Sequence, residues 1–228
     1  MAQPFFAPDS TVRESFDALF DAGWYTNNGP RLQLFERVLA EAVGVPHAVC
    51  VCSPESALAL TVWGLDADAR EVRCGPGVGS TLVTALTGFG CRVRTADGPA
   101  HSPRAVDLDV PGGPLARNRS GGDRALLLDL TAEGSLVSIG DALRSGGVTG
   151  AVGAFREGGD VVLPEGGVLY TAQSAVADLL RTARNHHPGE TFAPVPVRFN
   201  AKMSEGQATF GLLCLERRSR AGRGGNRD

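Results

Sequence analysis

Lys202 is the only lysine in the 228-residue chain, so it is the only side-chain amine available for carbonyl chemistry. Thr26, Asn28, Ser53, Asp160, Glu165 and Asn200 are the other polar candidates for binding. Glu55 follows Ser53-Pro54 and opens an apolar helical run, Ser56–Leu65. A carboxyl at that point can act as a general acid or base at the mouth of a sheet. It can equally serve only to complement the positive end of the helix. His186 and His187 are further acid–base candidates, although residue order alone gives no Ser-His-Asp arrangement. Cys50, Cys52, Cys74, Cys91 and Cys214 are odd in number and sit mostly in apolar runs, so they read as buried free thiols. His47, His101, His186 and His187 show no zinc-ligand spacing with them. The loop Cys74–Ser80 is rich in glycine but lacks the Lys-Ser/Thr ending of a phosphate loop.

The elements that must position these residues alternate. Helices are predicted from Thr11 to Gly23, with Asp9 or Ser10 as cap, and over 32–43, ending at Gly44. A buried strand over 47–52 precedes the Ser56–Leu65 helix. Strands then follow over 71–74, 91–97, near 106–110, and over 125–130, 148–155 and 166–170. Helices are predicted over 81–88, 137–144, 172–184 and 204–217. This alternation predicts one α/β domain, residues 1–217, with a mostly parallel sheet and helices on both faces. Residues 218–228 contain four arginines and one alanine as the sole apolar side chain, which predicts a disordered basic tail. The net charge of −3 gives no bulk attraction to nucleic acid or anionic membrane. The apolar runs are too short to cross a bilayer and no signal peptide is recognisable, so a cytoplasmic location is expected.

Several short blocks fall in a consistent order. They are Trp24…Gly29-Pro30…Phe35-Glu36, His47-Ala48-Val49, Ala57-Leu58, Phe155…Glu165-Gly166-Gly167, Arg184-Asn185-His186 and Asn200-Ala201-Lys202-Met203-Ser204-Glu205. Together they resemble the large domain of the DegT/DnrJ/EryC1/StrS sugar aminotransferases, enzymes that use pyridoxal phosphate (PLP). The resemblance runs from about residue 14 to 216 and implies the type I aminotransferase fold without its smaller C-terminal domain.

The same resemblance implies lost chemistry. The lysine that holds PLP as a Schiff base in the family falls here on Gly159. The family's Ser-Gly-Thr phosphate cup reads Ser53-Pro54-Glu55, where Pro54 removes an N–H donor and Glu55 adds negative charge. The loop that normally carries the stacking aromatic, Gly75–Gly79, has none. The family's Asp, set in a strand reading Glu-Asp-Ala-Ala, has its closest local match at Asp141-Ala142. Asp141 precedes Gly159 by eighteen residues, about ten short of the usual spacing, so deletion of that strand is the favoured alternative.

No PLP is therefore expected. The function expected is that of an aminotransferase-like pseudoenzyme, an accessory or partner protein in specialised-metabolite biosynthesis, perhaps of an amino or deoxy sugar. In the homodimers of the family, the segment matching Asn200–Ser204 reaches the neighbouring subunit's site. This suggests a homodimer, or a heteromer with a full-length homologue or pathway enzyme, to which Asn200 and Lys202 contribute. The alternatives are an enzyme acting on a biosynthetic intermediate in the vacated cleft, with Glu55 as acid or base, and simple binding of a small metabolite.

Overall fold

The computed structural model describes residues 9–26, 28–65, 71–95, 104–109, 124–144, 147–155, 158–185 and 200–224. The predicted elements are present. Helix α1 spans Ser10–Ala22, α2 Pro30–Val43, α3 Pro54–Leu65, α4 Ser80–Gly88, α5 Leu136–Arg144, α6 Ser174–Ala183 and α7 Glu205–Gly224. The strands are β1 His47–Val51, β2 Glu71–Cys74, β3 Arg92–Thr95, β4 Ala105–Asp109, β5 Arg124–Leu130, β6 Gly150–Ala154 and β7 Gly167–Thr171.

Local chemistry sets the boundaries. Asp9 caps α1 by accepting from the Val12 N–H at 3.0 Å. Gly23 and Gly44 end α1 and α2 in the left-handed region, at φ 63° and 79°. Ser204 and Gln207 form a reciprocal capping box for α7: the Gln207 N–H donates to Ser204 Oγ at 3.1 Å, and the Ser204 N–H donates to Gln207 Oε1 at 2.9 Å.

The strands form a single sheet in the order β1-β7-β6-β5-β4-β2-β3. Five of the seven run the same way, but β4 and β7 run against them. As a result only the β2/β3 and β5/β6 pairs are parallel, and the sheet is more mixed than the sequence predicts. A parallel neighbour needs a crossover of a dozen or more residues, usually a helix. Residues 96–104, between β3 and β4, are too few for one.

Two cores cover the two faces. One joins α3, α4 and α6 to the sheet through residues such as Leu58, Leu60, Leu82, Val152 and Leu180. The other joins α2, α5 and α7 through Phe35, Leu39, Ile139, Tyr170 and Met203. Helix α3 is buried on nearly all sides because the sheet, α4 and α6 enclose it, which explains its lack of a polar face. Phe20 of α1 is 61% exposed.

Of the tail expected to be disordered, 218–228, the part up to Gly224 is helical, and residues 225–228 lie outside the described residues. Helix α7 continues to Gly224, past the expected end at Arg217. Two arginines tie it to the rest of the fold, Arg217 with Asp9 at 2.5 Å and Arg218 with Asp160 at 3.0 Å, while Arg220 pairs with Glu216 at 2.5 Å within the helix. A stretch that is polar in composition is thus fastened by its charges. No described helix is long and apolar enough to cross a membrane.

Candidate functional site

The candidate site gathers at the end of β1, the start of α3, the end of β5 and the loop after β6. Gly167, the last residue of the Glu165-Gly-Gly block, lets the β1–α3 turn lie directly on β7. A Cβ there would stand 2.3 Å from both the Ser53 carbonyl carbon and the Pro54 nitrogen. Gly166 sits at φ 136°, a conformation reserved for glycine. The two glycines therefore keep the frame of the turn, whatever chemistry it performs.

Within the turn, Ser53 Oγ accepts from the Ser56 N–H at 3.1 Å, and the Ser53 carbonyl accepts from the Ala57 N–H at 3.1 Å. Pro54 has no N–H. Of the first-turn donors, this leaves the Glu55 N–H. The Glu55 side chain is half-buried and forms no ion pair among the described residues. Cys52 is beside it, with Sγ 3.3 Å from Ser56 Oγ.

Asp129, which the sequence pattern does not single out, stands near the end of β5. It ends the apolar strand β5 and is buried. Its Oδ2 accepts from the Gly79 N–H at 2.7 Å, and its Oδ1 accepts from the Thr131 N–H at 3.0 Å and the Thr131 hydroxyl at 2.6 Å. Leu128-Asp129-Leu130-Thr131 stands where Glu-Asp-Ala-Ala was sought, thirty residues before Gly159. That spacing was the available signal. The strand that carries Asp129, β5, lies next to and parallel with β6. Asp141 is an exposed residue of α5, paired with Arg144 at 2.5 Å.

Gly159 lies in the turn after β6, with its Cα only 2.8 Å from where a Cβ on Gly134 would stand. Asp160 ties this turn down. Its N–H donates to the Gly134 carbonyl at 2.8 Å, and its Oδ2 accepts from the Leu136 N–H at 2.9 Å, at the head of α5. Asp160 also pairs with Arg218, so its contacts are structural rather than open to a ligand. Glu165 is exposed and near Gln207 Nε2, at 3.5 Å.

The remaining candidates divide. Thr26 is exposed, and its carbonyl accepts from Trp24 Nε1 at 2.5 Å. Asn28 sits at φ 59°. Its Oδ1 accepts from Arg184 Nη2 at 2.7 Å on the outer side of β1. Asn200–Met203 is an extended segment beside the free edge of β1, with a bridge from Lys202 to Val51 and the Cys52 N–H donating to the Ala201 carbonyl at 2.9 Å. Ala201 and Met203 are fully buried, Asn200 is exposed and Lys202 is half-buried. Asn200 does not cap α7, since Ser204 does. His186 and His187 lie outside the described residues. No group of three or more metal-ligating side chains occurs among the described residues. Burial pushes the thiol of Cys74 up to about 11, and pushes those of Cys50, Cys91 and Cys214 upward as well.

Comparison with known proteins places these features. Residues 8–109 match the DegT/DnrJ/EryC1/StrS aminotransferase family. None of the curated proteins matches the chain by sequence. Among solved structures, DesI in the presence of its TDP-sugar product shares the fold with a TM-score of 0.68 at 22% identity; the match covers 96% of this chain and 62% of DesI. DesV from S. venezuelae, in complex with a ketimine intermediate, gives 0.64 at 21% identity over 92% of this chain and 62% of DesV. NtdA from Bacillus subtilis, with bound cofactor PMP, gives 0.64 at 15% identity over 92% of this chain and 53% of NtdA. The chain thus spans about 62% of the length of DesI and DesV. At these identities the likeness establishes the aminotransferase-like fold.

These findings overturn the expectation that PLP has no place here. The matched family is an aminotransferase family, and a solved structure of this fold carries PMP. Asp129 places a buried carboxylate at the end of β5, with both oxygens accepting from Gly79 and Thr131. The other residues fit such a cofactor less well. Gly159 offers no amine, the α3 start offers the Glu55 N–H beside a carboxylate, and Gly75–Gly79 offers no aromatic face.

Proposed function

We propose, taking the match of residues 8–109 to the DegT/DnrJ/EryC1/StrS aminotransferase family as the premise, that this chain is an aminotransferase-like protein of specialised-metabolite biosynthesis that does not transaminate by its own residues. Its role is that of a partner subunit, paired with an aminotransferase-fold chain that retains the lysine. An amino or deoxy sugar is the product class, by analogy with the family.

The observation that carries this reading is Gly159 within a retained frame. Gly166 and Gly167 still seat the β1–α3 turn, and Asp160 still fastens the β6–β7 turn, yet the amine between them is gone. Retention of the frame without the amine is what a structural or assembling role requires. The segment Asn200–Met203, anchored by buried Ala201 and Met203, is the one we assign to the neighbouring subunit.

Co-expression with a full-length aminotransferase-fold homologue tests this. A stable complex is expected, in which Lys202→Ala lowers the homologue's turnover while the complex stays intact on gel filtration. No complex, or unchanged turnover in the Lys202→Ala complex, would overturn the assignment.

A second reading is favoured by Glu55, half-buried at the head of α3 with no ion pair among the described residues. It makes Glu55 an acid or base acting on a pathway intermediate. Under that reading Glu55→Gln abolishes an activity that Lys202→Ala leaves untouched.

A further inference from the structure

Asn28 is the only asparagine of the chain that is followed by glycine. In such a pair the backbone nitrogen of the glycine can attack the asparagine side-chain amide, because no Cβ obstructs its approach. Hydroxide takes the Gly29 N–H proton, the bond from that nitrogen to Asn28 Cγ forms, and the Cγ–Nδ2 bond breaks. The departing nitrogen is protonated by water and leaves as ammonia. Water then opens the resulting succinimide to aspartate or isoaspartate. The sum is an amide and water giving an acid and ammonia, so no other reactant is needed.

The fold itself calls for this pair of residues. A Cβ on Gly29 would stand 2.7 Å from Glu205 Cδ and from Trp24 Cδ1, so close packing requires glycine there. Asn28, at φ 59°, is the one non-glycine residue at positive φ among the described residues, a conformation that asparagine tolerates better than most side chains.

The same surroundings keep the reacting groups apart. Ring closure requires rotation of the Asn28 side chain and of the peptide plane that joins Asn28 to Gly29. Gln33 Nε2 donates to the Asn28 carbonyl at 2.7 Å and so pins that plane. Arg184 Nη2 donates to Asn28 Oδ1 at 2.7 Å and so pins the side chain. Arg184 is itself buried and bonded to Glu36 and to the Cys50 carbonyl, so it cannot follow the loop outward. In the left-handed region to which φ 59° belongs, the following nitrogen is turned away from Cβ.

We propose that Asn28-Gly29 is a latent deamidation site, held closed by Gln33 and Arg184, which converts when the loop before α2 detaches from Arg184. Conversion is one-way, because isoaspartate inserts a methylene into the main chain and the loop cannot return to its former contacts. The site is thus an irreversible record of loop opening. The proposal is independent of the partner-subunit reading, since it uses neither Gly159 nor the Asn200–Met203 segment.

Peptide mass spectrometry of the whole chain, kept in mildly alkaline buffer, tests it. The readout is the acid form of the peptide that contains residue 28, with Asn28→Asp as the reference for the aspartate product. The folded chain is expected to convert at least about tenfold more slowly than the chain held in urea, since opening breaks one neutral and one charge-assisted hydrogen bond. Gln33→Leu, at an exposed position, removes one of the two pins and should raise the rate in the folded chain by about three- to tenfold. Equal rates in the folded and urea-held chains would overturn the proposal, as would a Gln33→Leu rate equal to that of the unaltered folded chain. An absence of conversion in urea would overturn it too, because the pair would then have no reactivity for the fold to restrain.

Discussion

Arg184 and Glu36, 148 residues apart in sequence, meet as an ion pair inside the protein, and neither is exposed. The Arg184 guanidinium also donates to the Cys50 carbonyl at 2.6 Å, while Glu36 accepts from the Cys50 N–H at 2.8 Å. The two side chains together satisfy the outward backbone groups of Cys50 on the free edge of β1, the edge a sheet otherwise leaves open. One arginine thus joins α6, α2, β1 and, through Asn28, the loop before α2.

Arg184→Leu leaves Glu36 and the Cys50 carbonyl buried without their main partner. Urea unfolding is expected to show a loss of about 3–5 kcal/mol, as for breaking one side of a buried pair. The double change Glu36→Leu with Arg184→Leu should cost less than the sum of the two single changes. Strict additivity would contradict the direct pairing.

Gly134→Ala tests the packing around the missing lysine. A Cβ there would stand 2.8 Å from the Gly159 backbone, which cannot swing aside as a flexible side chain can. The change is expected to destabilise by about 1–3 kcal/mol, as overpacking does. A neutral result would mean that the two turns are not in contact.

The thiols set a pH dependence. Burial raises the thiol of Cys74 from its ordinary range to about 11, and that of Cys50 well above its ordinary range. Above pH 9 the unfolded chain loses these protons and the folded chain keeps them, so stability falls as pH rises from about 9 towards 11. Below pH 9 the two states bind the same number of thiol protons and the slope vanishes. Unfolding free energies across this range check the sign, and Cys74→Ala should flatten part of the decline. The half-buried Cys52 should react with a thiol reagent before the buried Cys50, Cys74 and Cys91.

Ser204→Ala removes one half of the α7 capping box. The expected loss is about 1 kcal/mol, measured by denaturant unfolding. Because α7 follows directly on Asn200–Met203, the same variant should also raise amide exchange in that segment.

How much of this was legible in the sequence differs by residue. Helix ends at Gly23 and Gly44, and the strand–helix unit β1–α3, follow from local patterns and were read correctly. The direction of β4 was not legible, because strand pairing is decided by neighbours distant in sequence. Asp129 was hidden at the end of an apolar run, where its partners, Gly79 and Thr131, come from two loops. Arg184 was noted as part of a motif, but its burial arises only when α6 docks against α2 and β1. The arginines of α7 look like a solvated tail until Asp9 and Asp160 are brought beside them.

The central claim is that this chain does not transfer an amino group by its own residues, since Gly159 has no amine and Lys202 is the only lysine. The direct measurement is amino transfer from an amino-acid donor to a keto-sugar nucleotide by the purified chain alone, with PLP supplied. The expected result is a rate equal to that of the protein-free control. Turnover above that control that disappears in Lys202→Ala would contradict the account, because it would make Lys202 the working amine of an active enzyme.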